Sequence, residues 1–400
     1  MKKVLVISYF FPPVSAGQRS LKFVKYLPHF GWMPVVLAPE KSNYPKVDIT
    51  LLKEIPDSCN VIRVKDCENL SANPYITINE FMKGWFPETV KTGLPLLERH
   101  DIDVIYSVSA PYISLLSGLA LKRLTGKPLV IDLRDEWTTN PFMQKDRWKN
   151  DRVFNKKLEK LVLNEADAVI SVTEQITNTL FHLSGNEMKN KFFTISNGFD
   201  PDDFHHINHL PKTNKFKICY MGSVYGHIRN VFDIFFQFLE NSIRIDEIKK
   251  TDIEISLVGY LDNIRFPNEW ALNDLVSRTG YVNHHTALKE AASSDLLLLL
   301  IDPKQGNQTV TSKIFELINL EKPILAIVPP KGAAAKIINE TRTGVVIDSN
   351  NPSGAIPYVI KYLNAWKEGK LGILPNKKEI QKYDRRNLTK KLSLVMNELI

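Results

Sequence analysis

Four hundred residues are too many for one hydrophobic core, so two domains are expected. Apolar residues make up 44% and charged residues 24%, and a dispersed net charge of +8 suits anionic small ligands or an anionic membrane surface as well as nucleic acid. Three cysteines, Cys59, Cys67 and Cys219, show no metal-ligand spacing; they exclude a disulfide framework and point to a reducing compartment.

MKKVLVISYFFPPVSAG imitates a signal peptide. It reads better as a first buried strand, 4–11, because a cleaved peptide would leave the next helix and strand without their sheet. Segment 19–30 puts Leu21, Val24, Leu27 and Phe30 on one helical face, Gly31 ends it, and 34–38 is a strand, which completes a βαβ opening. Residues 60–64 read as a strand, as do 103–109, and a helix follows from Pro111. Between Pro74 and Pro95, Tyr75, Phe81, Met82, Trp85 and Phe86 accompany few charges. This stretch is either a covering loop or an aromatic anchor for a membrane or a lipid-linked acceptor.

Strand 128–133 ends in Arg134-Asp135-Glu136-Trp137, and a basic cluster runs from Arg147 through Trp148, Lys149, Arg152, Lys156 and Lys157. A solvated face is the plain reading of that cluster, and anionic lipid also suits it. Helix 156–165, strand 168–172, helix 173–183 and strand 192–196 follow, then the turn signal Asn197-Gly198.

Polar residues 205–214 read as a linker, after which the alternation restarts. Strand 216–222 leads through a glycine-bearing loop to helix 230–239 and strand 254–258. Helix 286–293, strand 296–301, helix 311–320, strand 324–328, helix 333–340, strand 344–347 and helix 356–366 complete it, and 377–400 is a basic amphipathic tail. No apolar run approaches the roughly 18–20 residues of a membrane span. The fold class is therefore α/β, with two doubly wound Rossmann-like domains facing a cleft. The expected boundaries are 1–205 and 206–375, with 376–400 a C-terminal helix packing back on the first domain.

Two polar residues stand out on the 311–320 helix. Thr311 or Ser312 can cap its start. Lys313 falls in the first turn, where the dipole disfavours a cation unless an anion binds there. Glu316 shares its face, so the pair can hold a diphosphate and a ribose diol, or be a plain i,i+3 surface pair. Arg229 meets the same conflict at another helix start, against the plain reading of a solvated arginine. Gly17 and Gly222 are candidates for close backbone approach to a ligand, or plain turn glycines.

SYFFPPVSAGQR, VIDLRDEW, ADAVISVT, ISNGFDPDDF, YMGSVYG and TSKIFELINLEKPILAIVPP followed by TRTGVVID come in one order. Together they resemble the GT-B glycosyltransferases of glycosyltransferase family 4, in particular bacterial members that build surface polysaccharides such as lipopolysaccharide or capsule. The resemblance spans nearly the whole chain. It implies that Glu316 binds the ribose hydroxyls of a nucleotide sugar, while Lys313 and Arg229 stabilise the departing diphosphate as the catalytic cations. It puts Gly17, Gly222, Gln308, Thr311 and Ser312 at the donor. Asp132, Arg134 and Asp135 end a parallel strand at the cleft, where with Ser109 they can orient the acceptor, or form an internal Arg–Asp pair that shapes the loop. Gln308 stands where the family often has a glutamate, and Ser107 and Ser109 occupy a strand end where many members have histidine.

The resemblance further implies a retaining reaction without cofactor or metal; Asp101-Ile102-Asp103 matches the letters of a metal-binding DxD but leads straight into a strand. Its partners would be a nucleotide-sugar donor, with UDP as the expected nucleotide, and a glycan or lipid-linked acceptor. A cytoplasmic protein touching the inner leaflet, without nucleic acid, is expected. A sugar-nucleotide 2-epimerase of the same architecture and a non-catalytic two-lobed binding protein are the alternatives.

Overall fold

The computed structural model describes residues 1–40, 46–66, 76–77, 83–99, 101–140, 149–185, 188–205, 207, 214–224, 226, 228–261 and 266–400. By its internal contacts the chain divides into two units, Met1–Asn197 with Arg385–Ile400, and Gly198–Asp384.

In the first unit, β1 (Lys2–Ser8), α1 (Gln18–Tyr26), β2 (Trp32–Pro39) and β3 (Asn60–Val64) precede α2 (Trp85–Arg99). Then come β4 (Val104–Val108), α3 (Ile113–Thr125), β5 (Leu129–Leu133), α4 (Lys149–Glu165), β6 (Ala168–Ser171), α5 (Glu174–Ser184) and β7 (Phe192–Thr194). All strand pairs are parallel, in the order β3-β2-β1-β4-β5-β6-β7. β1 is thus a central strand, hydrogen-bonded on both edges, and its Val4–Ile7 run is buried on both faces, as parallel strands require. The strand order reverses between β1 and β4, so the loops after these two strands flank the switch point where open α/β sheets hold ligands.

Segment 85–99 is helical where the aromatic stretch suggested a loop or an anchor. Gly93 lets this helix approach α3, since a Cβ there would lie 2.7 Å from Leu121. Trp85 is 1% exposed and meets Tyr9 edge-on at 5.3 Å, so it belongs to the core and cannot anchor in a bilayer. Phe86 is half-buried against the same core. Tyr75, Phe81, Met82, Arg147 and Trp148 lie outside the described residues.

The second unit runs β8 (Phe216–Met221), α6 (Ile228–Arg244), β9 (Ile253–Val258), β10 (Val276–Gly280), α7 (His284–Ala292), β11 (Leu296–Leu300), α8 (Lys313–Asn319) and β12 (Ile324–Val328). α9 (Ala333–Thr341), β13 (Gly344–Asp348), α10 (Ile356–Lys367) and α11 (Lys377–Gln381) complete it. Its parallel sheet has the order β10-β9-β8-β11-β12-β13, with the reversal between β8 and β11. Phe232, Phe235, Phe236 and Val359 pack on one face; Leu288, Ile314, Phe315, Ile318, Ala334 and Ile338 pack on the other.

The tail is two helices with different allegiances. α11 stays with the second unit, its Ile380 buried beside Phe315. α12 (Arg385–Asn397) belongs to the first unit, where Leu388, Leu392 and Met396 cover Phe23, Val24 and Leu27. Among the described residues no helix is long and apolar enough to cross a membrane.

Candidate functional site

α8 leaves the carboxyl edge of the second sheet after the loop 301–312 and runs back across the sheet to β12. Ile314, Phe315, Leu317 and Ile318 are buried, which anchors a helix of only seven residues by packing rather than by its own hydrogen bonds. Neither expected cap operates. Ser312 has helical dihedrals (φ −58°, ψ −28°) and makes no side-chain cap bond, and Thr311 Oγ1 is buried without a hydrogen-bond partner. Gln305 Oε1, on the same loop, is likewise unpartnered. Buried polar atoms of this kind are normally satisfied, so two of them on one loop at the ligand edge are suited to meeting a bound molecule.

Glu316 is the most enclosed charged residue of the helix, its side chain 12% exposed. His284, the first residue of α7, reaches it with Nε2 2.8 Å from Glu316 Oε1. α7 also begins at the carboxyl edge, and Asn283 caps it by accepting from Thr286 N at 2.8 Å. His284 Nδ1 lies 3.8 Å from Asp203 Oδ2. Asp203 is fixed by the turn Pro201–Phe204, in which Asp200 accepts from Asp202 N at 3.0 Å. The second unit thus gathers Asp203, His284 and Glu316 in a row. The sequence pairs Glu316 with Lys313; the structure adds the histidine, which no local pattern marks.

Lys313 opens α8 half-buried, and Gln308 sits on the preceding loop with its amide against Gly306. Arg229 stands at the second position of α6, where its Nε donates to Asp233 Oδ2 at 2.7 Å and the side chain is 40% exposed. Gly222 and Gly259 end β8 and β9 against each other, since a Cβ on Gly259 would collide with the Gly222 carbonyl. Gly222 N donates to Val258 O at 2.8 Å. The close approach at Gly259 is therefore backbone against backbone, while a Cβ on Gly222 would lie 2.8 Å from the Tyr220 hydroxyl. Gly17 behaves like Gly259, since a Cβ there would lie 2.8 Å from Phe11 Cα.

In the first unit, the acid at the end of β5 is used internally. Arg19 Nε and Nη2 donate to the two oxygens of Asp132 at 2.9 and 3.2 Å, and Tyr106 donates to the same carboxylate. Arg19 also donates to Ile195 O, Ser196 O and Asn197 Oδ1. Burial, then the Asp132 charge, hold the Tyr106 hydroxyl well above the usual tyrosine range. Asp132 is fully enclosed and cannot meet an acceptor. Arg134 is half-buried and donates to Ala16 O at 2.9 Å, while its own N–H donates to the buried Ser109 Oγ at 3.3 Å. These two hold the loops after β1, β4 and β5 together, and Asp135 alone of the three is exposed. Asp103 accepts from Lys3 N at 2.7 Å at the amino edge of the sheet, opposite the ligand edge, so the DxD letters mark a strand entry.

The two doubly wound domains make the GT-B fold. A sucrose-phosphate synthase from Thermosynechococcus elongatus superposes with a TM-score of 0.67 at 17% identity, covering 100% of this chain and 99% of the other. WaaG, a glycosyltransferase involved in lipopolysaccharide biosynthesis, gives 0.58 at 14%, with 98% and 99% covered. A putative UDP-N-acetylglucosamine 2-epimerase from Listeria monocytogenes gives 0.57 at 12%, with 98% and 95% covered. At these identities the likeness is one of fold. No curated protein sequence matches the chain. Residues 20–203 match the model of Glycosyltransferase Family 4. That match covers just under half of the chain, nearly all of it in the first unit, and the chain as a whole has the GT-B fold.

Proposed function

We propose that the enzyme is a retaining, metal-independent transferase that moves a sugar from a UDP-sugar to a glycan or lipid-linked acceptor in surface polysaccharide synthesis. The observation that carries the donor half is Glu316, a carboxylate enclosed at the carboxyl edge beside the switch point and oriented by His284. In this reading Glu316 accepts from the ribose hydroxyls. Lys313, one helical turn earlier, and Arg229, its guanidinium shared between Asp233 and the ligand, offset charge on the departing diphosphate. Thr311, Ser312, Gln308 and the backbone near Gly222 line the donor, with Thr311 Oγ1 gaining the partner it lacks. Side-chain cations then take the place a metal holds in DxD enzymes. In the first domain Asp135 is the exposed polar group left to orient an acceptor, Ser109 and Arg134 shaping the loop around it; Gly17 contributes through the same loop packing.

Calorimetry with uridine and UDP tests the donor site. Glu316→Ala is expected to weaken both by about 1.5–3 kcal/mol, as for a hydrogen bond to a charged group. Lys313→Ala is expected to weaken UDP alone. Unchanged UDP affinity in Glu316→Ala, or equal losses for both ligands in Lys313→Ala, rejects the respective role.

The reading includes a contact with the anionic inner leaflet by a cytoplasmic enzyme. With Trp85 in the core, the support moves to α4, where Lys156, Lys157 and Lys160 are exposed beside Val153, which is 62% exposed. Wild-type protein is expected to sediment with anionic vesicles at low salt, less so as salt rises, and Lys156→Glu/Lys157→Glu to stay in solution. A wild type that never sediments removes the leaflet contact.

A further inference from the structure

We infer that Asn155 is a positioning residue for the acceptor: from inside α4 it fixes Trp137, and through that loop it fixes the place of Asp135. The inference rests on the reading in which Asp135 orients the acceptor.

Asp135 stands between residues that are all held. Before it, Arg134 N donates to Ser109 Oγ and the Arg134 guanidinium donates to Ala16 O. After it, Glu136 O accepts from Tyr112 Oη at 2.7 Å and the Trp137 indole donates to Asn155 Oδ1 at 3.0 Å. Thr138 N and Oγ1 then donate to Glu159 Oε2. The Trp137 ring also lies flat on Tyr112, with centroids 4.7 Å apart and planes 2° from parallel. From Arg134 to Thr138 only Asp135 is exposed. Burial, then the Asp135 charge, hold the Tyr112 hydroxyl well above the usual tyrosine range, which places that carboxylate near the same phenol.

Asn155 does more than close one bond. It is fully buried, and its amide is used completely. Oδ1 accepts from Ile76 N at 2.9 Å as well as from the indole, and Nδ2 donates to Ile76 O at 3.0 Å and Asp151 O at 2.9 Å. Two acceptor sites and two hydrogens are all that an asparagine amide has. Turning the amide over would set its NH2 against the indole N–H and the Ile76 N–H, donor against donor, so the side chain has one working orientation. A site that needed only volume would take leucine. A saturated buried amide fixes one geometry instead. Four residues on, and on the same face of α4, Glu159 takes Thr138. The helix thus grips two consecutive loop residues, while Ser109 and Tyr112, from the β4–α3 loop, grip Arg134 and Glu136. The backbone at Asp135 is therefore set before an acceptor arrives, which is how a group outside the chemistry governs a reactant's placement.

The test is a double-mutant cycle on the full chain. Radiolabelled UDP-glucose, UDP-galactose and UDP-N-acetylglucosamine are each offered with a bacterial membrane lipid extract, and transfer into the extract is measured against extract and donor concentration. Asp135→Ala, Asn155→Ala and Trp137→Phe are each expected to lower kcat/KM for the extract by roughly ten- to hundredfold, while the donor KM stays within about twofold. Trp137→Phe loses the indole hydrogen bond but keeps a ring on Tyr112, so it carries the test if thermal unfolding shows that Asn155→Ala does not fold. Asp135→Ala/Trp137→Phe should be no worse than Asp135→Ala alone, because the second residue acts through the first. If the two losses multiply, if the donor KM rises in step, or if Trp137→Phe loses nothing, the positioning role is overturned. If Asp135→Ala transfers like the wild type, or the wild type transfers from none of the three donors, the acceptor reading fails and the inference goes with it.

Discussion

Asp132→Ala is expected to destabilise the first domain by about 3–5 kcal/mol, the range for removing one partner of a buried ion pair. The change leaves the Arg19 guanidinium, only 2% exposed, with carbonyls and one amide for company, and deprives Tyr106 of its acceptor. Three parts of the domain depend on that carboxylate: α1, the end of β5 and the segment 195–197. A denaturant titration followed in the first domain reads the effect. Arg19→Met/Asp132→Leu should recover most of the loss, since apolar side chains of similar volume need no partner. A single-variant loss below about 1 kcal/mol would contradict the account.

Glu159→Gln is expected to stabilise the protein above neutral pH and not below about pH 5. Glu159 is buried in α4, where it accepts from Thr138 N and Oγ1 while its other oxygen has no partner. Burial raises its carboxyl to about 7. An unfolded glutamate titrates near 4.3, so between these values the folded state binds more protons than the unfolded one. Stability from this group is complete below about pH 4, falls as pH rises through that window and levels off above it. The full swing is roughly 2–4 kcal/mol. Thermal unfolding of wild type and variant at pH 5 and pH 8 checks it; a difference between them that stays constant with pH refutes it.

The strands were legible because both sheets are parallel. Runs such as LLLLL at β11 and ILAIV at β12 are buried on both faces and need no alternation to be recognised. β10 escaped for the opposite reason: VSRTG is an edge strand with exposed Ser277, Arg278 and Thr279, so no apolar run announces it. α2 escaped because Pro87, Gly93 and Pro95 read as loop residues. Pro87 falls in the first turn, and Gly93 is there to let α3 close in. In the candidate site, Glu316 and Lys313 showed themselves through helical spacing. His284 did not, because its partners Asp203 and Glu316 come from other elements and no sequence period links them. Likewise Asp132 and Arg134 looked alike at the end of one strand; only the tertiary position of Arg19 makes the first a core anchor.

The first domain is not contiguous in sequence, and this bears on how it is made. Its outer strip on α1, Phe23, Val24 and Leu27, is covered by α12. The about 190 residues of the second unit, 198–384, are synthesised between the two. At about 5–20 residues per second that interval is roughly 10–40 s. During it the nascent domain has its sheet but shows an open apolar strip. Residues 1–197 released alone would keep that strip open indefinitely, so the fragment should bind chaperones or self-associate where the full chain does not.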